Sequence, residues 1–150
     1  MIHGTHNALE DSRNEHILIS INDELFPRNE ARISVFDAGY LVGDGVWEGL
    51  RLHHGKLIFW DDHMDRLYAG AKTIGLNIGC NTSDLLKSVQ HVLHANNMVD
   101  GVHVRIMVTR GIKKNPNQDP RLTISGPNIV IIAEYKEDNT KTSNKGLTLV

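Results

Sequence analysis

The sequence has little cysteine, no long apolar run and no excess of basic charge. Its single cysteine, Cys80, excludes an intrachain disulfide and favours a reducing, cytoplasmic setting. No apolar run approaches the roughly 20 residues of a membrane-spanning helix, and the polar stretch 1–15 contains no apolar signal-peptide core. A net charge of −2 provides no basic surface for nucleic acid. We therefore expect a cytoplasmic protein that binds neither membranes nor nucleic acid.

Alternating or β-branched apolar runs predict the strands. The continuous apolar run 128–135 predicts a central strand covered on both faces. We expect β-strand segments at residues 16–22, 25–26, 33–35, 47–53, 57–60, 101–110 and 128–135, with a hairpin turn at Gly55-Lys56, and a sheet of about five or six strands.

Apolar residues at helical spacing predict two helices between the hairpin and residue 101. The first helix should begin at an N-cap Asp61 or Asp62, and the second should begin at Thr82 and end at Asn96-Asn97. The first should bury Met64, Leu67, Ala71 and Ile74, and the second Leu85, Leu86, Val89, Val92 and Leu93. Because the helices do not alternate singly with strands, we expect an α+β fold: a mostly antiparallel sheet with two main helices packed on one face.

Three other features bear on function. Arg66 lies near a helix start on a stripe away from the apolar face, where a guanidinium could bind a phosphate. The polar face of strand 101–110 carries His103 and Arg105, which must point to water or to an anion. The loop 111–127 is long enough to be functional or mobile. No metal site is expected, because His53 and His54 should point to opposite faces of a strand.

The motifs VWEGLR and HMDRL, with DAGYLVGDG before them and VHVRIMVTRG after them, resemble the first domain of the class IV (fold-type IV) pyridoxal-phosphate aminotransferases. The resemblance runs from about residue 17 to about residue 135 and is nearest to the branched-chain amino acid type. It implies that Arg66 binds the cofactor phosphate, that Arg51 borders the substrate pocket, and that Arg105 helps to hold the substrate carboxylate. Trp47 replaces a pocket phenylalanine of that family.

Two positions depart from the branched-chain pattern. His103 stands where the family's Y-I-R motif has tyrosine, and Val42 stands where a tyrosine usually reaches the neighbouring subunit's pocket. D-amino acid aminotransferase and aminodeoxychorismate lyase are therefore alternatives within the family. The D-amino acid enzymes carry an Arg-x-His motif after V-T-R-G, and the loop here reads IKKNPNQDP instead.

The resemblance also implies a division of the chain. Residues 1–135 correspond to the small N-terminal domain, and residues 136–150 to a linker and the first strand of a cofactor-binding domain. The Schiff-base lysine is expected beyond Val150, so no catalytic residue is assigned here, and Lys145 is expected to be solvated. The implied partners are an amino acid, a 2-oxo acid and a second copy of the chain. A non-catalytic α+β interaction module is the alternative from another class.

Overall fold

The computed structural model describes residues 11–136, and a six-stranded sheet forms its framework. The strands lie in the order β2-β1-β6-β5-β3-β4, and each neighbouring pair is antiparallel. Their bounds are β1 Leu18–Ile21, β2 Glu24–Pro27, β3 Gly45–His53, β4 Lys56–Leu57, β5 Val102–Thr109 and β6 Asn128–Tyr135.

Three α-helices connect these strands: α1 Ala38–Val42, α2 Trp60–Thr73 and α3 Thr82–Ala95, with 3-10 turns at Ser12–Asn14 and Pro120–Leu122. Alternate strand residues such as Leu50, Val104 and Ile106 form one core with Met64 of α2 and Val89 of α3. Burial of this apolar face is the main favourable contribution to folding. The expected α+β fold, with two main helices on one face of an antiparallel sheet, is confirmed. Within residues 11–136, no helix is long and apolar enough to cross a membrane.

The central hairpin is tighter than the sequence pattern predicted. Its turn residues are His54 and Gly55, both with positive φ (47° and 74°), rather than Gly55-Lys56. The second strand ends at Leu57, and Phe59 takes a left-handed N-cap conformation without a side-chain cap. Asp61 and Asp62 are therefore not N-caps. They lie in the first turn of α2, where their negative charges interact favourably with the positive end of the helix dipole.

The expected strand 33–35 does not form. The chain leaves the sheet after β2, and the N–H of Lys113 donates to the carbonyl of Phe36 at 2.9 Å, which ties this segment to the long loop. Without a neighbouring strand, Ile33 and Val35 stay exposed. The sequence pattern identified β-favouring residues, but it could not show that no neighbouring strand pairs with them.

Smaller differences occur at the helix ends and in β6. Ile74 lies beyond the end of α2 and is exposed, and Leu76 is buried in its place. Asn81, not Thr82, caps α3, since its side chain accepts the N–H of Asp84 at 2.9 Å. The predicted end of α3 at Asn96 is confirmed. β6 is central, as predicted, but Ile132 on its second face is only half-buried, so the expected cover on both faces is absent from the described residues.

Glycines let α1 and the first residue of β3 lie close against the end of β5. A Cβ at Gly39 would come within 2.5 Å of Thr109 Cγ2, and a Cβ at Gly45 within 2.7 Å of the Val108 carbonyl oxygen. Buried Asp37 caps α1 and accepts hydrogen bonds from the Gly39 N–H and the Thr109 hydroxyl. The segment DAGYLVGDG therefore lies close to the backbone of β5.

Candidate functional site

The face of the sheet opposite the helices, here called the open face, carries Trp47 and Arg51 of β3, His103 and Arg105 of β5, and Ile132 and Glu134 of β6. Arg51 pairs with His103 across the β3–β5 register, and His103 pairs with Glu134 across the β5–β6 register. Because side chains alternate along a strand, these pairs lie on one face. The structure thus brings together four of the six residues assigned from the sequence.

Trp47 supports the Arg105 guanidinium. The guanidinium carbon lies 4.4 Å from the centre of the Trp47 ring, which is a cation–π distance, and the Trp47 side chain is largely exposed. The planar guanidinium therefore has an aromatic support while its edges remain suited to carboxylate oxygens. This arrangement can bind and orient an anion in front of the sheet.

His103 lies among cations at the centre of the open face. Burial lowers the pKa of its imidazole, and the charges of Lys136, Arg105 and Arg51 lower it further. Gly49 provides the space for this ring, since a Cβ there would be 2.9 Å from His103 Nε2. The imidazole is therefore held in its neutral form, which can both donate and accept a hydrogen bond.

A shallow depression of about 250 Å³ adjoins this group. His103, Arg105, Ile132, Glu134 and Lys136 line it. The last three were not assigned from the sequence. Alternation along residues 128–135 could have placed Ile132 and Glu134 on one face, but not beside Arg105.

Arg66 lies on the other side of β3, in a cluster with Glu48 and His63. Its Nε donates to Glu48 Oε1 at 2.6 Å and its Nη2 donates to Oε2 at 2.5 Å. His63 Nδ1 lies 2.8 Å from the same Oε2, and because a carboxylate only accepts, Nδ1 carries the proton. Glu48 is buried, whereas 70% of the Arg66 side chain is exposed. We call these three residues the Glu48 cluster.

The hydrogen bonds from Arg66 hold the pKa of the Glu48 carboxyl below its ordinary value, with a smaller contribution from His63, against the opposing effect of burial. The same contact raises the pKa of Arg66. Glu48 thus occupies one edge of the guanidinium and fixes its plane. The edge formed by Nη1 and the second N–H of Nη2 faces outward and suits two phosphate oxygens. The sequence analysis did not predict the contact of Glu48 with His63, because Glu48 belongs to a strand motif and its partner lies on the following helix.

The structure separates the assigned residues into two groups. Trp47 and Glu48 are neighbours on β3, so the open face and the Glu48 cluster lie on opposite sides of that strand. Val42 lies at the last position of α1, partly exposed, next to the turn that leads into β3. The exposed guanidinium of Arg66 fits the phosphate of a cofactor. Lys145 lies outside the described residues.

The prediction that His53 and His54 point to opposite faces of a strand was wrong. His54 has φ 47° and leaves the strand geometry, so the rings of His53 and His54 lie side by side, 4.0 Å between centroids, rather than on opposite faces. Both imidazoles approach the carboxylate of Asp100.

A family model described as Amino-transferase class IV matches residues 45–147. Branched-chain-amino-acid aminotransferase-like protein 2 of Arabidopsis thaliana is 35% identical over 129 residues, covering 86% of this chain and 23% of that protein. D-alanine aminotransferase of Listeria innocua is 39% identical over 99 residues, covering 66% of this chain and 34% of that protein. The chain therefore spans only a quarter to a third of these relatives.

Solved structures share the fold. The branched-chain aminotransferase of the archaeon Thermoproteus uzoniensis with norvaline superimposes with a TM-score of 0.66 at 24% identity, over 79% of this chain and 40% of that chain. At that identity the similarity establishes the fold alone. The family match covers most of the chain and includes the strand of Trp47 and Glu48 and the helix of Arg66. The chain belongs to the class IV aminotransferase family, whose members are pyridoxal-phosphate enzymes.

Proposed function

We propose that residues 1–135 are the small domain of a pyridoxal-phosphate-dependent aminotransferase of the branched-chain type, and that residues 136–150 lead into a second domain that carries the cofactor lysine. The observation that carries the proposal is the Arg66 guanidinium, which Glu48 holds in a fixed plane within the matched family motif. When bound, pyridoxal phosphate acts as an electron sink and carries the amino group from an amino acid to a 2-oxo acid.

The residues of this chain would bind and orient the cofactor and the substrate. Arg66 would hold the cofactor phosphate through its outward edge, and Glu48 would keep that edge in place. Arg105, supported by Trp47, would bind a carboxylate of the substrate, because a guanidinium donates two parallel hydrogen bonds to that group. His103, Arg51 and Val42 would shape the substrate pocket. Neutral His103 would offer a hydrogen bond where the family's tyrosine offers a hydroxyl.

The protein would act as a homodimer. Exposed apolar side chains on and before α1 support this part of the proposal, in particular Val35, Phe36 and Tyr40, of which Tyr40 is 73% exposed. A cytoplasmic location belongs to the same proposal, supported by the free thiol of Cys80, whose pKa is raised by burial. Sedimentation of the full-length protein tests the dimer, and a monomer at micromolar concentration would rule it out.

Activity assays of the full-length protein test the function. We expect amino transfer from branched-chain L-amino acids to a 2-oxo acid, dependent on pyridoxal phosphate and lost in Arg66→Ala at low cofactor concentration. Protein that binds no cofactor and transfers no amino group from L- or D-amino acids would favour the interaction module.

A D-amino acid aminotransferase is the second candidate, because D-alanine aminotransferase of Listeria innocua is 39% identical over the aligned residues. Assays with matched D- and L-alanine and D- and L-leucine distinguish the two candidates. Aminodeoxychorismate lyase is the third, and pyruvate release without amino transfer would identify it.

A further inference from the structure

A second cluster of potential ligands lies at the end of the sheet where the β3–β4 turn meets the link between α3 and β5. His53, His54 and Asp100 each offer one ligand atom there, and these atoms lie within 4.8 Å of one another. The backbone fixes the two segments to each other. The N–H of Gly55 donates to the Val99 carbonyl at 2.9 Å, and the N–H of His54 donates to Asp100 Oδ1 at 2.8 Å.

The distances within the cluster fit a metal better than they fit hydrogen bonds. His53 Nδ1 lies 3.3 Å from Asp100 Oδ1, and His54 Nδ1 lies 3.4 Å from Oδ2. A charge-assisted N–H···O bond is shorter, about 2.7–2.9 Å. A zinc ion with ligands at about 2.0–2.1 Å in a tetrahedron separates its ligand atoms by roughly 3.3 Å. Each nitrogen–oxygen distance is close to this separation, although the two distances run to different oxygens of the carboxylate.

The chemistry of the donors agrees with the geometry. Imidazole nitrogen and carboxylate oxygen are ordinary zinc ligands, and three protein ligands leave a fourth position for water. The backbone bond to Asp100 also orients that ligand, as outer hydrogen bonds do in zinc sites. Both imidazoles are exposed, so a metal ion can reach them from solvent.

We propose that His53, His54 and Asp100 form a binding site for a divalent transition metal of the zinc class, which ties the β3–β4 turn to the start of β5. The site is independent of the aminotransferase proposal. His53 is the last residue of β3, and none of the three ligands belongs to the groups proposed to bind the cofactor or the substrate.

Titration of the full-length protein with Zn²⁺ by calorimetry, and with Co²⁺ by visible absorption, tests the proposal. We expect one ion per chain and a tetrahedral Co²⁺ spectrum. Asp100→Asn keeps an oxygen acceptor for the His54 N–H but removes the charge, and His54→Asn suits the positive φ of that position. Each variant should weaken binding by about tenfold or more, as the loss of a ligand requires. Zn²⁺ should raise the Tm of the wild-type chain and not that of Asp100→Asn.

The matched control is the double variant His91→Ala/His94→Ala, which removes two exposed histidines from one face of α3 and should leave binding unchanged. The remaining histidines are present in every variant, so any Zn²⁺ that they bind contributes the same background to each titration. Equal Zn²⁺ affinity in the wild type, Asp100→Asn and His54→Asn would overturn the proposal. So would loss of binding in the α3 control alone, or no Zn²⁺ binding at millimolar concentration.

Discussion

Replacement of Glu48 by glutamine tests the cluster that positions Arg66. The carboxylate accepts N–H bonds from Arg66 at 2.6 and 2.5 Å and from His63 at 2.8 Å. The introduced amide would keep the shape but lose the charge, and its NH₂ group would face a guanidinium that only donates. Breaking a fully buried ion pair costs ~3–5 kcal/mol, but solvent reaches Arg66. We therefore expect Glu48→Gln to lower the free energy of unfolding by about 1–2 kcal/mol at pH 7.

The pH dependence of this loss gives a second test. The folded protein holds the pKa of Glu48 below 4.5, mainly through Arg66. A depressed carboxyl pKa means that the ionised group stabilises the fold fully above pH 4.5, and that this contribution disappears as the pH falls through the folded-state pKa. Glutamine does not titrate. The difference in unfolding free energy between wild type and variant should therefore be largest at pH 7 and should shrink as the pH falls through the pKa of the folded protein.

Urea denaturation of both proteins at pH 7 and in acid measures the difference. Glu134→Gln is the control, because the ion pair of Glu134 with Arg28 is a surface contact of 3.4 Å and its loss should change the stability little. A Glu48→Gln difference of the same size at both pH values, or no difference at pH 7, would refute the reasoning.

Two further substitutions test contacts that stabilise the fold. Arg110→Met should lower the unfolding free energy by ~1–3 kcal/mol, because it leaves the partly buried carboxylate of Asp44 without its two N–H bonds of 2.6 and 2.9 Å; a loss below about 0.5 kcal/mol in thermal denaturation would contradict this. Gly45→Ala should cost ~1–3 kcal/mol, because the new Cβ would lie 2.7 Å from a backbone oxygen of β5. Gly126→Ala meets open space and is its control, so equal stability of the two variants would contradict the close approach of β3 to β5 at Gly45.

The sequence predicted those features that depend on periodicity. Alternation in residues 101–110 placed Val104 and Ile106 on the buried face and His103 and Arg105 on the other, as the structure has them. Helical spacing found the buried faces of α2 and α3. The sequence motifs identified the class IV aminotransferase family, which the match to residues 45–147 confirms. These signals are local, so a single sequence carries them.

Features that depend on long-range contacts could not be predicted. Glu48 is 18 residues from Arg66, and only the packing of α2 on β3 brings their side chains together. The strand expected at 33–35 did not form, because the chain leaves the sheet after β2 and the following segment bonds to the long loop instead. His54 lies beside His53 only because the tight turn gives it a positive φ, which the sequence pattern did not predict. Lys113, in the loop 111–127, is buried and donates to the Asp119 carbonyl, although the sequence reads as polar loop.

The affinity of the full-length protein for pyridoxal phosphate, compared between wild type and Arg66→Ala, tests the central claim most directly. The account predicts that loss of the outward guanidinium edge raises the cofactor Kd by roughly ten- to a hundredfold. Added cofactor should then restore part of the activity. Arg105→Ala should leave the cofactor Kd nearly unchanged and raise the KM for the amino acid. A wild-type cofactor Kd in Arg66→Ala would contradict the assignment of the phosphate site and the function built on it.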